Sequence, residues 1–276
     1  MLTITTCLTY PEPPSNLLPL ADALTRDNIP TAFAPWQNRP KSAFILPLCA
    51  WDYAAEPEAF GQWLTEAEAY GQRFINPVGL MRWNMDKRYL CDLAEWGADV
   101  IPSVQTSSEK EKLEDILKNQ SWREAVVKPV IGQSGRGVAK IRAGEVSLKA
   151  EDYPQDVIVQ PYIREIETAG EISLVFFDGH FSHAVLRMPP QGEWRANSAY
   201  GVAVSPAAPP KKAIETARQI LDMLPEIPAY ARIDGTLIGD RLLLNELELV
   251  EPALYLHTAE NAVADMVQAV KRVIAG

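Results

Sequence analysis

The sequence has 276 residues, of which 47% are hydrophobic and 22% are charged, and its formal net charge is −10. These proportions exclude a disordered or fibrous chain, and no apolar run reaches the roughly 18–20 residues of a membrane span. The acidic balance disfavours nonspecific binding to nucleic acid or anionic lipid. Three cysteines without a C-x-x-C pair, and three histidines without ligand-like neighbours, argue against a disulfide framework and a zinc site. The simplest interpretation is a soluble cytoplasmic protein that binds neither nucleic acid nor a membrane.

The first stretch, residues 1–81, alternates strand and helix patterns. Residues 2–8 and 43–49 read as short strands, and residues 16–26 read as a helix after a proline-rich turn. A stronger helix pattern covers residues 56–70. Its apolar residues recur at the spacing of one helix face: Phe60, Trp63, Leu64 and Ala67. Strand alternating with helix predicts a small α/β domain with an open parallel sheet.

The second stretch, residues 82–156, begins with two helix patterns. Asn84 can cap a helix that carries Lys87 and ends at Gly97. Ser108 and Glu111 have the spacing of a capping box, which predicts that a second helix opens there and runs to residue 119.

The third stretch, residues 157–276, reads as runs of strands with helices on one side. The dipeptide Asp178-Gly179 is a strong hairpin signal, and residues 205–210 form a proline-rich break. The predicted strands are 157–161, 171–177, 180–187, 229–237 and 242–250, and the predicted helices are 211–224 and 260–274. This order predicts an α+β arrangement.

A strand followed by a glycine-rich loop is the first segment that suggests chemistry. Residues 125–130 read as a buried strand that delivers Lys128, and the loop at residues 132–137 turns back into a strand at 138–141. Glycines let the backbone approach a ligand closely, and successive N–H groups can cradle a phosphate. The segment is not a Walker A loop, because no Gly-Lys-Ser/Thr precedes a helix. The alternative is a tight hairpin loop with an unrelated lysine.

Three acidic residues lie on the predicted strand pair near the C-terminus. Glu246 and Glu248 are two apart on one strand, so they share a face, which Leu244 and Val250 continue. A three-residue loop at residues 239–241 would set Asp234 opposite Glu246, whereas a strict two-residue turn would set it opposite Asn245. Three convergent carboxylates suit Mg²⁺ that carries a nucleotide phosphate. The alternative is a solvated sheet face on which Arg232 or Arg241 pairs with the acids.

Two further segments offer weaker signals. The strand that ends at Gln160 runs into an irregular segment that can act as a hinge, offering backbone groups to an adenine edge and a carboxylate to a ribose; an ordinary strand end is the alternative. Arg187 ends the predicted hairpin, and Arg195 and Asn197 follow it. The planar fork of arginine suits phosphate and carboxylate, although a surface arginine is the simpler interpretation.

The order of these elements resembles the ATP-grasp superfamily. The resemblance covers roughly residue 82 to the C-terminus and rests on the strand lysine, the glycine loop, the hinge, the arginine hairpin, and Asp followed by Glu-x-Glu. Residues 245–252, with the sequence NELELVEP, and Gln160 resemble the glutathione-synthetase-like branch that includes the D-cycloserine biosynthesis ligase. Many relatives end the metal motif in Glu-x-Asn, whereas this chain has Glu248 at the last position.

The resemblance implies an ATP-grasp fold of mixed α/β and α+β class. A preamble domain at residues 1–81 on the substrate side would precede two subdomains, 82–156 with the flap and 157–276 with the hinge and metal carboxylates. These two subdomains would sandwich ATP. The implied metal is one or two Mg²⁺ ions, with Mn²⁺ as a substitute, held by Asp234, Glu246 and Glu248.

The resemblance also assigns roles residue by residue. Lys87 and Lys128 would contact the nucleotide phosphates. The mobile flap would consist of Gln133, Ser134, Gly135, Arg136 and Gly137. Adenine would be held by Gln160, Tyr162 and Ile163, and the ribose by Glu165 or Glu167. Arg187 would neutralise the transferring phosphoryl group, with Arg195 and Asn197 between the phosphate and the acceptor substrate.

The implied activity is that of an ATP-dependent carboxylate–amine ligase. It would join an amino-acid-like or short-peptide substrate to an amine through an acyl phosphate, releasing ADP and phosphate. Two alternatives are intramolecular ring closure of an amino-acid derivative and ATP binding without catalysis. A homodimer is compatible with the sequence. Substrate specificity is expected from the first stretch and the loops, with these candidates: Trp51, Asp52, Tyr53, Arg73 and Trp83.

Overall fold

The computed structural model describes the backbone of residues 1–276 and every side chain except that of Ala150. The N-terminal part contains a parallel sheet with the order β2-β1-β3-β4. Its elements are β1 (Leu2–Thr6), α1 (Leu18–Arg26), β2 (Thr31–Pro35), β3 (Phe44–Leu46), α2 (Pro57–Ala69), β4 (Arg73–Phe74) and α3 (Val78–Asn84). The predicted parallel sheet is therefore confirmed. Strands β2 and β4 were not predicted, because both lie at edges and are short or proline-flanked.

The link between the first and second stretches differs from the prediction. Asn84 ends α3 instead of capping the next helix, and α4 (Tyr89–Glu95) begins only after a turn that carries Lys87. The buried side chain of Asn84 instead bonds to the backbone of the last sheet: it donates to Leu247 O at 2.7 Å and accepts from Leu249 N at 2.7 Å. An asparagine can cap a helix, and it can also bond through its side-chain amide to a distant part of the backbone. The sequence therefore did not distinguish the two roles of Asn84.

The second sheet is antiparallel and has the order β5-β8-β6-β7. Its elements are β5 (Val104–Thr106), α5 (Lys110–Asn119), β6 (Glu124–Pro129), β7 (Ala139–Arg142) and β8 (Val157–Pro161). The helix predicted from the capping box begins at Lys110, with Glu109 at the N-cap position and no side-chain cap from that residue. Leu113 and Leu117 pack against β6 and β8 in a core that belongs to this sheet.

The third sheet is antiparallel and has the order β11-β10-β9-β12-β13. Its elements are α6 (Glu165–Ala169), β9 (Glu171–Phe177), β10 (His180–Met188), β11 (Ala203–Ala207), α7 (Lys211–Asp222), β12 (Tyr230–Ile238), β13 (Arg241–Glu248) and α8 (Ala262–Ala275). The hairpin at Asp178-Gly179 is confirmed, with φ of 51° and 73° at the two turn residues. Part of the predicted proline-rich break is an exposed edge strand, β11.

Two cores connect these layers. Residues of β1 and α1 share one core with α8 and with Phe177 and Tyr230 of the third sheet. A second core lies between the opposite face of the third sheet and α7, and it also receives Leu90 and Leu93 of α4. Among the described residues, no helix is long and apolar enough to cross a membrane. The mixed α/β and α+β class is confirmed, while the three domain boundaries stay predictions.

Candidate functional site

A β-bulge sets the register of the acidic strand pair. The turn between β12 and β13 has two residues, Gly239 and Asp240, because Ile238 pairs with Arg241. The register then shifts at Asn245, so that Asp234 lies opposite Glu246. The predicted pairing is thus correct, but the three-residue loop proposed as its cause is wrong: an extra residue in the strand supplies the offset.

The same bulge corrects the predicted face of β13. Leu244 does not share the face of Glu246 and Glu248, because the extra residue turns it into the apolar core with Leu242 and Leu247. The carboxylates are left on the opposite side, towards a cleft. Leu244 and the acidic positions therefore belong to different faces, whereas Val250 lines the cleft together with Glu246 and Glu248.

The three acidic side chains converge. One carboxylate oxygen from each of Asp234, Glu246 and Glu248 lies within 4.8 Å of the others, in a group suited to a cation. Arg232 bonds to both Asp234, at 2.8 Å, and Glu248, at 2.5 Å. The acidic residues therefore both converge on one point and pair with an arginine, although the two arrangements were predicted as alternatives. Arg241 is not involved, because it pairs with Asp99 at the surface.

Charge at this cluster is unevenly compensated. Burial disfavours ionisation of Glu246, but Lys87 and Lys128 outweigh burial and hold the pKa of this carboxyl below its ordinary value. Burial raises the pKa of Glu248 to about 7, against the opposing effect of Arg232. Asp234 has a lowered pKa because Arg187 and Arg232 offset its burial. The effect of burial is therefore offset at Asp234 and Glu246 but not at Glu248.

Both predicted lysines reach the cleft from different elements. Lys87 forms an ion pair with Glu246, and its backbone N–H donates to Val130 O at 2.7 Å beside the glycine loop. Lys128, in β6, donates to Asn245 Oδ1 at 2.6 Å. Burial lowers the pKa of Lys128, whereas the pKa of Lys87 is raised because Glu246 outweighs burial. Two cations thus meet the carboxylates where an anionic ligand can enter.

Arg187 is a buried member of the cleft and not a surface arginine. It is 4% exposed, pairs with Glu171 of β9, and donates to Asp234 Oδ2 at 2.7 Å. Its Nε atom is buried without a partner among the described atoms. Glu171 also accepts a hydrogen bond from Asn245. The sequence analysis did not predict Glu171 or Asn245 as site residues. Glu171 could have been found, because it is a charged residue at the start of a strand that is otherwise mostly apolar.

The glycine loop folds over this cleft. Ser134, Gly135 and Gly137 have φ of 55°, 69° and 72°, in the left-handed region. A Cβ on Gly135 would lie 2.8 Å from Asn197 Oδ1, so the loop makes a close approach to the segment after β10. The Tyr200 hydroxyl donates to Gly135 O at 3.2 Å. The glycine loop therefore contacts the segment after β10 that carries Asn197 and Tyr200.

Arg195 and Gln133 lie in this region. Arg195 bonds to Glu193, at 2.7 Å for the Nη2–Oε2 pair, and its guanidinium lies 3.6 Å from the centroid of the Tyr200 ring. The side-chain oxygen of Gln133 is buried without a hydrogen bond among the described atoms. These residues line a cleft that is partly open to solvent. Its remaining predicted members are Lys87, Lys128, Ser134, Gly135, Arg136, Arg187, Asn197, Glu246 and Glu248.

A smaller, apolar slot adjoins the cleft at the predicted hinge. Its walls come from Ile101, Val126, Gln160, Pro161, Tyr162, Ile163, Ile166 and Trp194. Lys128, Trp194, Ile166 and Asn245 line both the slot and the cleft, so one elongated ligand can occupy the two. Gln160 is 2% exposed and donates to Ser103 Oγ at 2.9 Å. A flat apolar ring suits the slot, and charged groups suit the cleft.

Several predicted residues do not line these cavities. Glu165 and Glu167 are exposed in α6, and Glu167 accepts a hydrogen bond from the Tyr162 hydroxyl. Gly137 lies at the base of the flap, where the Tyr153 hydroxyl donates to its carbonyl at 2.9 Å. Of the five substrate candidates, Tyr53 lines the cleft. Trp51, Asp52, Arg73 and Trp83 do not.

Two protein families match successive parts of the chain. The prokaryotic glutathione synthetase ATP-grasp domain matches residues 92–253, and the N-terminal domain of D-cycloserine synthetase DcsG matches residues 2–76. The fold and the cleft thus define an ATP-grasp enzyme. The chain belongs to the prokaryotic glutathione synthetase ATP-grasp family, and it is an ATP-dependent ligase that forms carbon–nitrogen bonds.

Similar proteins support the same assignment along most of the chain. The cycloserine biosynthesis protein DcsG of Streptomyces lavendulae is 27% identical over 259 residues, covering 86% of this chain and 80% of the relative. A glutathione synthetase of Parasynechococcus marenigrum is 30% identical over 145 residues, which are 50% of this chain and 45% of that protein. The similarity to this glutathione synthetase is therefore limited to about half of each chain.

Solved structures agree on the fold. The crystal structure of D-cycloserine synthetase DcsG superposes with a TM-score of 0.82 at 24% identity, covering 99% of both chains. The D-alanine–D-alanine ligase of Bacillus anthracis superposes with a TM-score of 0.65 at 14% identity, covering 99% of this chain and 96% of the ligase.

Proposed function

We propose that the chain activates the carboxylate of an amino-acid-like substrate as an acyl phosphate, which an amine then attacks with release of phosphate. ATP would be converted to ADP in the first step. The observation that carries this proposal is one cleft under the glycine loop that is lined by three cations, Lys87, Lys128 and Arg187, and by Glu246 and Glu248. A carboxylate oxygen of Asp234 lies within 4.8 Å of both glutamates. That arrangement concentrates positive charge where the terminal phosphoryl group of ATP would lie.

The nucleotide would occupy both cavities. Adenine would lie in the apolar slot, which Gln160, Tyr162 and Ile163 help to line, and the phosphates would lie in the cleft near Lys87 and Lys128. The flap residues Gln133, Ser134, Gly135, Arg136 and Gly137 would cover the terminal phosphates. Glu165 or Glu167 would contact the ribose only after a movement of α6 or its side chains, because both are exposed outside the slot.

The acidic cluster fits Mg²⁺, with Mn²⁺ as a substitute. One hard oxygen donor from each of Asp234, Glu246 and Glu248 already lies within 4.8 Å of the others. Burial raises the pKa of Glu248 to about 7, and a bound cation would favour its charged form. When bound, one or two such ions would neutralise the phosphate oxygens. A similar fold, the ATP-grasp ligase PsnB, has been solved with Mg and ADP.

The protein side chains would then overcome the repulsion between two anions. A substrate carboxylate attacking the terminal phosphate brings negative charges together, and Arg187 and Lys128 offset that charge in a buried setting. Arg195 and Asn197 would lie between the phosphate and the acceptor. The closed flap would exclude water from the acyl phosphate, which hydrolyses readily. The reaction needs no covalent nucleophile of the enzyme.

The test is an assay for ADP and for the trapped intermediate. Purified protein with ATP, MgCl₂ and hydroxylamine is supplied with D- and L-amino acids and dipeptides, and ADP and hydroxamate are measured. The expected result is ADP with an equal amount of hydroxamate for one class of acid. Lys128→Met should lose both products, whereas the matched surface control Lys212→Met should keep them. Formation of AMP and pyrophosphate would contradict the proposal.

Ring closure within one substrate is a second candidate. It is favoured by the match of residues 2–76 to the N-terminal domain of D-cycloserine synthetase, since this part is expected to supply specificity. Mass spectrometry separates the two reactions. A product equal to one substrate minus water indicates ring closure, whereas a product that contains two substrates indicates intermolecular ligation. A cytoplasmic location and a homodimer stay predictions.

A further inference from the structure

One acidic side chain of the cleft is left without a partner. Glu251 lies three residues beyond the end of β13 and lines the cleft together with Tyr53. The other acidic residues near the cations are each paired: Glu171 with Arg187, Asp234 with Arg187 and Arg232, Glu246 with Lys87, and Glu248 with Arg232. Among the described residues, the carboxylate of Glu251 has neither a hydrogen bond nor an ion pair. Burial raises the pKa of this carboxyl well above its ordinary value, because no cation in contact with it offsets the desolvation of its charged form.

The backbone that carries Glu251 is held on both sides by side chains from other elements. These bonds run from Tyr230 Oη to Val250 O at 2.7 Å, from Asn76 Nδ2 to Leu249 O at 2.8 Å, and from Arg232 Nη1 to Ala253 O at 3.1 Å. Asn76 and Tyr230 are buried. The backbone on either side of Glu251 is therefore held before any ligand binds, which favours a specific recognition residue.

Tyr53 provides a neutral hydroxyl in the same cleft, and its oxygen can accept a hydrogen bond from an ammonium group. It is 6% exposed, and its ring lies 5.1 Å from that of Phe60 in the core of the N-terminal part. Burial, followed by the charge of Glu251, raises the pKa of Tyr53 well above its ordinary value, so the hydroxyl keeps its proton. Among the described residues this hydroxyl makes no hydrogen bond. A ligand group between Tyr53 and Glu251 can therefore be bound by both.

We propose that Glu251 binds the ammonium group of the amino-acid-like substrate, with the Tyr53 hydroxyl beside it. The inference rests on the proposed function and specifies its substrate class: an acid that also carries a positively charged amine. An α-ammonium group is two bonds from its own carboxylate carbon, and Glu251 lines the same cleft as Lys87 and Lys128, so one small molecule would contact both regions. Charge-assisted hydrogen bonds are the strong ones, which makes this contact a source of specificity.

Glu251 is separate from the group of acidic residues that is suited to a metal ion. Among the described residues, the group with mutually close carboxylate oxygens contains Asp234, Glu246 and Glu248 and does not include Glu251. Glu251 lies instead on the side of the cleft that the N-terminal part closes with Tyr53. The position suits the substrate, which must enter from outside the nucleotide site.

The test compares Glu251→Gln with wild-type protein for amino acids and for the matching acids without the amino group. Alanine and propionate are one such pair in the hydroxylamine assay. For the amino acid that wild-type protein activates best, Glu251→Gln should raise KM about 10–100-fold, the loss expected for one charge-assisted hydrogen bond. KM for ATP should not change, and the variant should lose its preference for the amino acid over the desamino acid.

Three further variants keep the test decisive. Glu251→Asp retains the charge and should recover part of the affinity, Tyr53→Phe should raise the same KM to a smaller extent, and the exposed control Glu260→Gln should match wild type. Thermal unfolding of each variant checks that it is folded. If Glu251→Gln keeps the wild-type KM and the preference for the amino acid, the inference is wrong while the proposed function stands. If wild-type protein releases no ADP with any acid, both are wrong.

Discussion

Gly235 lies where β12 and β13 approach each other beside the bulge at Asn245, and its replacement by alanine tests the register of the site. A Cβ at this position would lie 2.5 Å from Leu243 O and 2.8 Å from Leu242 Cδ1. Because an ordinary carbon–oxygen contact is about 3.3–3.6 Å, the two strands must separate by about 1 Å. A backbone oxygen in a sheet cannot rotate away, so we expect the upper end of an overpacking penalty, about 3 kcal/mol.

Urea unfolding measures this loss, and Gly79→Ala is the matched control. Gly79 lies within α3, and a Cβ there would contact nothing within 4 Å. The control should gain about 0.4–1 kcal/mol, because alanine restricts the unfolded chain and favours the helix. Gly235→Ala should also lose turnover in its folded fraction, since the strand that places Glu246 is displaced. A Gly235→Ala protein as stable as wild type would refute the close approach of the strands.

Three further predictions concern the site and its surroundings. Glu246→Gln should lower turnover about 100-fold or more while ATP binding changes far less, because the cluster matters most as charge develops in the transition state; near-normal turnover would contradict the metal assignment. Residues 133–137 should be cut by a protease more slowly with Mg²⁺ and ATP than without them, and equal cutting would count against a phosphate flap. Burial lowers the pKa of His183 below 6.5, so the unfolded chain binds the proton more readily. The free energy of unfolding should therefore fall as the pH drops below 6.5, and in His183→Gln this fall should be smaller; an unchanged pH dependence in urea unfolding would exclude His183 as the cause.

The sequence predicted the bounds of the strands more accurately than the residue-by-residue pairing between them. β8 and β9 have the predicted bounds, because both are short apolar runs between clear turn signals. Both hairpins of the third sheet contain a bulge, one between Phe181 and His183 and one at Asn245. Each bulge changes which side chains face the cleft, and no turn signal marks either of them. Counting from the turn therefore could not give the register.

The site was predicted where its signal was local. Lys128 and the acidic residues of β13 lie in short motifs, and the structure brings them into one cleft. Glu171, Asn84 and Asn245 were missed because their function depends on partners 74 to 165 residues away in the chain. A buried amide that bonds to a distant backbone leaves no periodic pattern in the sequence. Such contacts are determined by tertiary packing and become visible only in the folded molecule.

The distribution of the apolar cores has a consequence for local unfolding. The N-terminal helix α1 and the C-terminal helix α8 share one core with the third sheet, whereas the core of the second sheet draws its buried residues from positions 113 to 159. Local opening follows such cooperative units. Amide hydrogens of the second sheet should therefore exchange through an opening that leaves the two chain ends protected. The part that carries the flap can then loosen and reform during each catalytic cycle without loss of the rest of the fold.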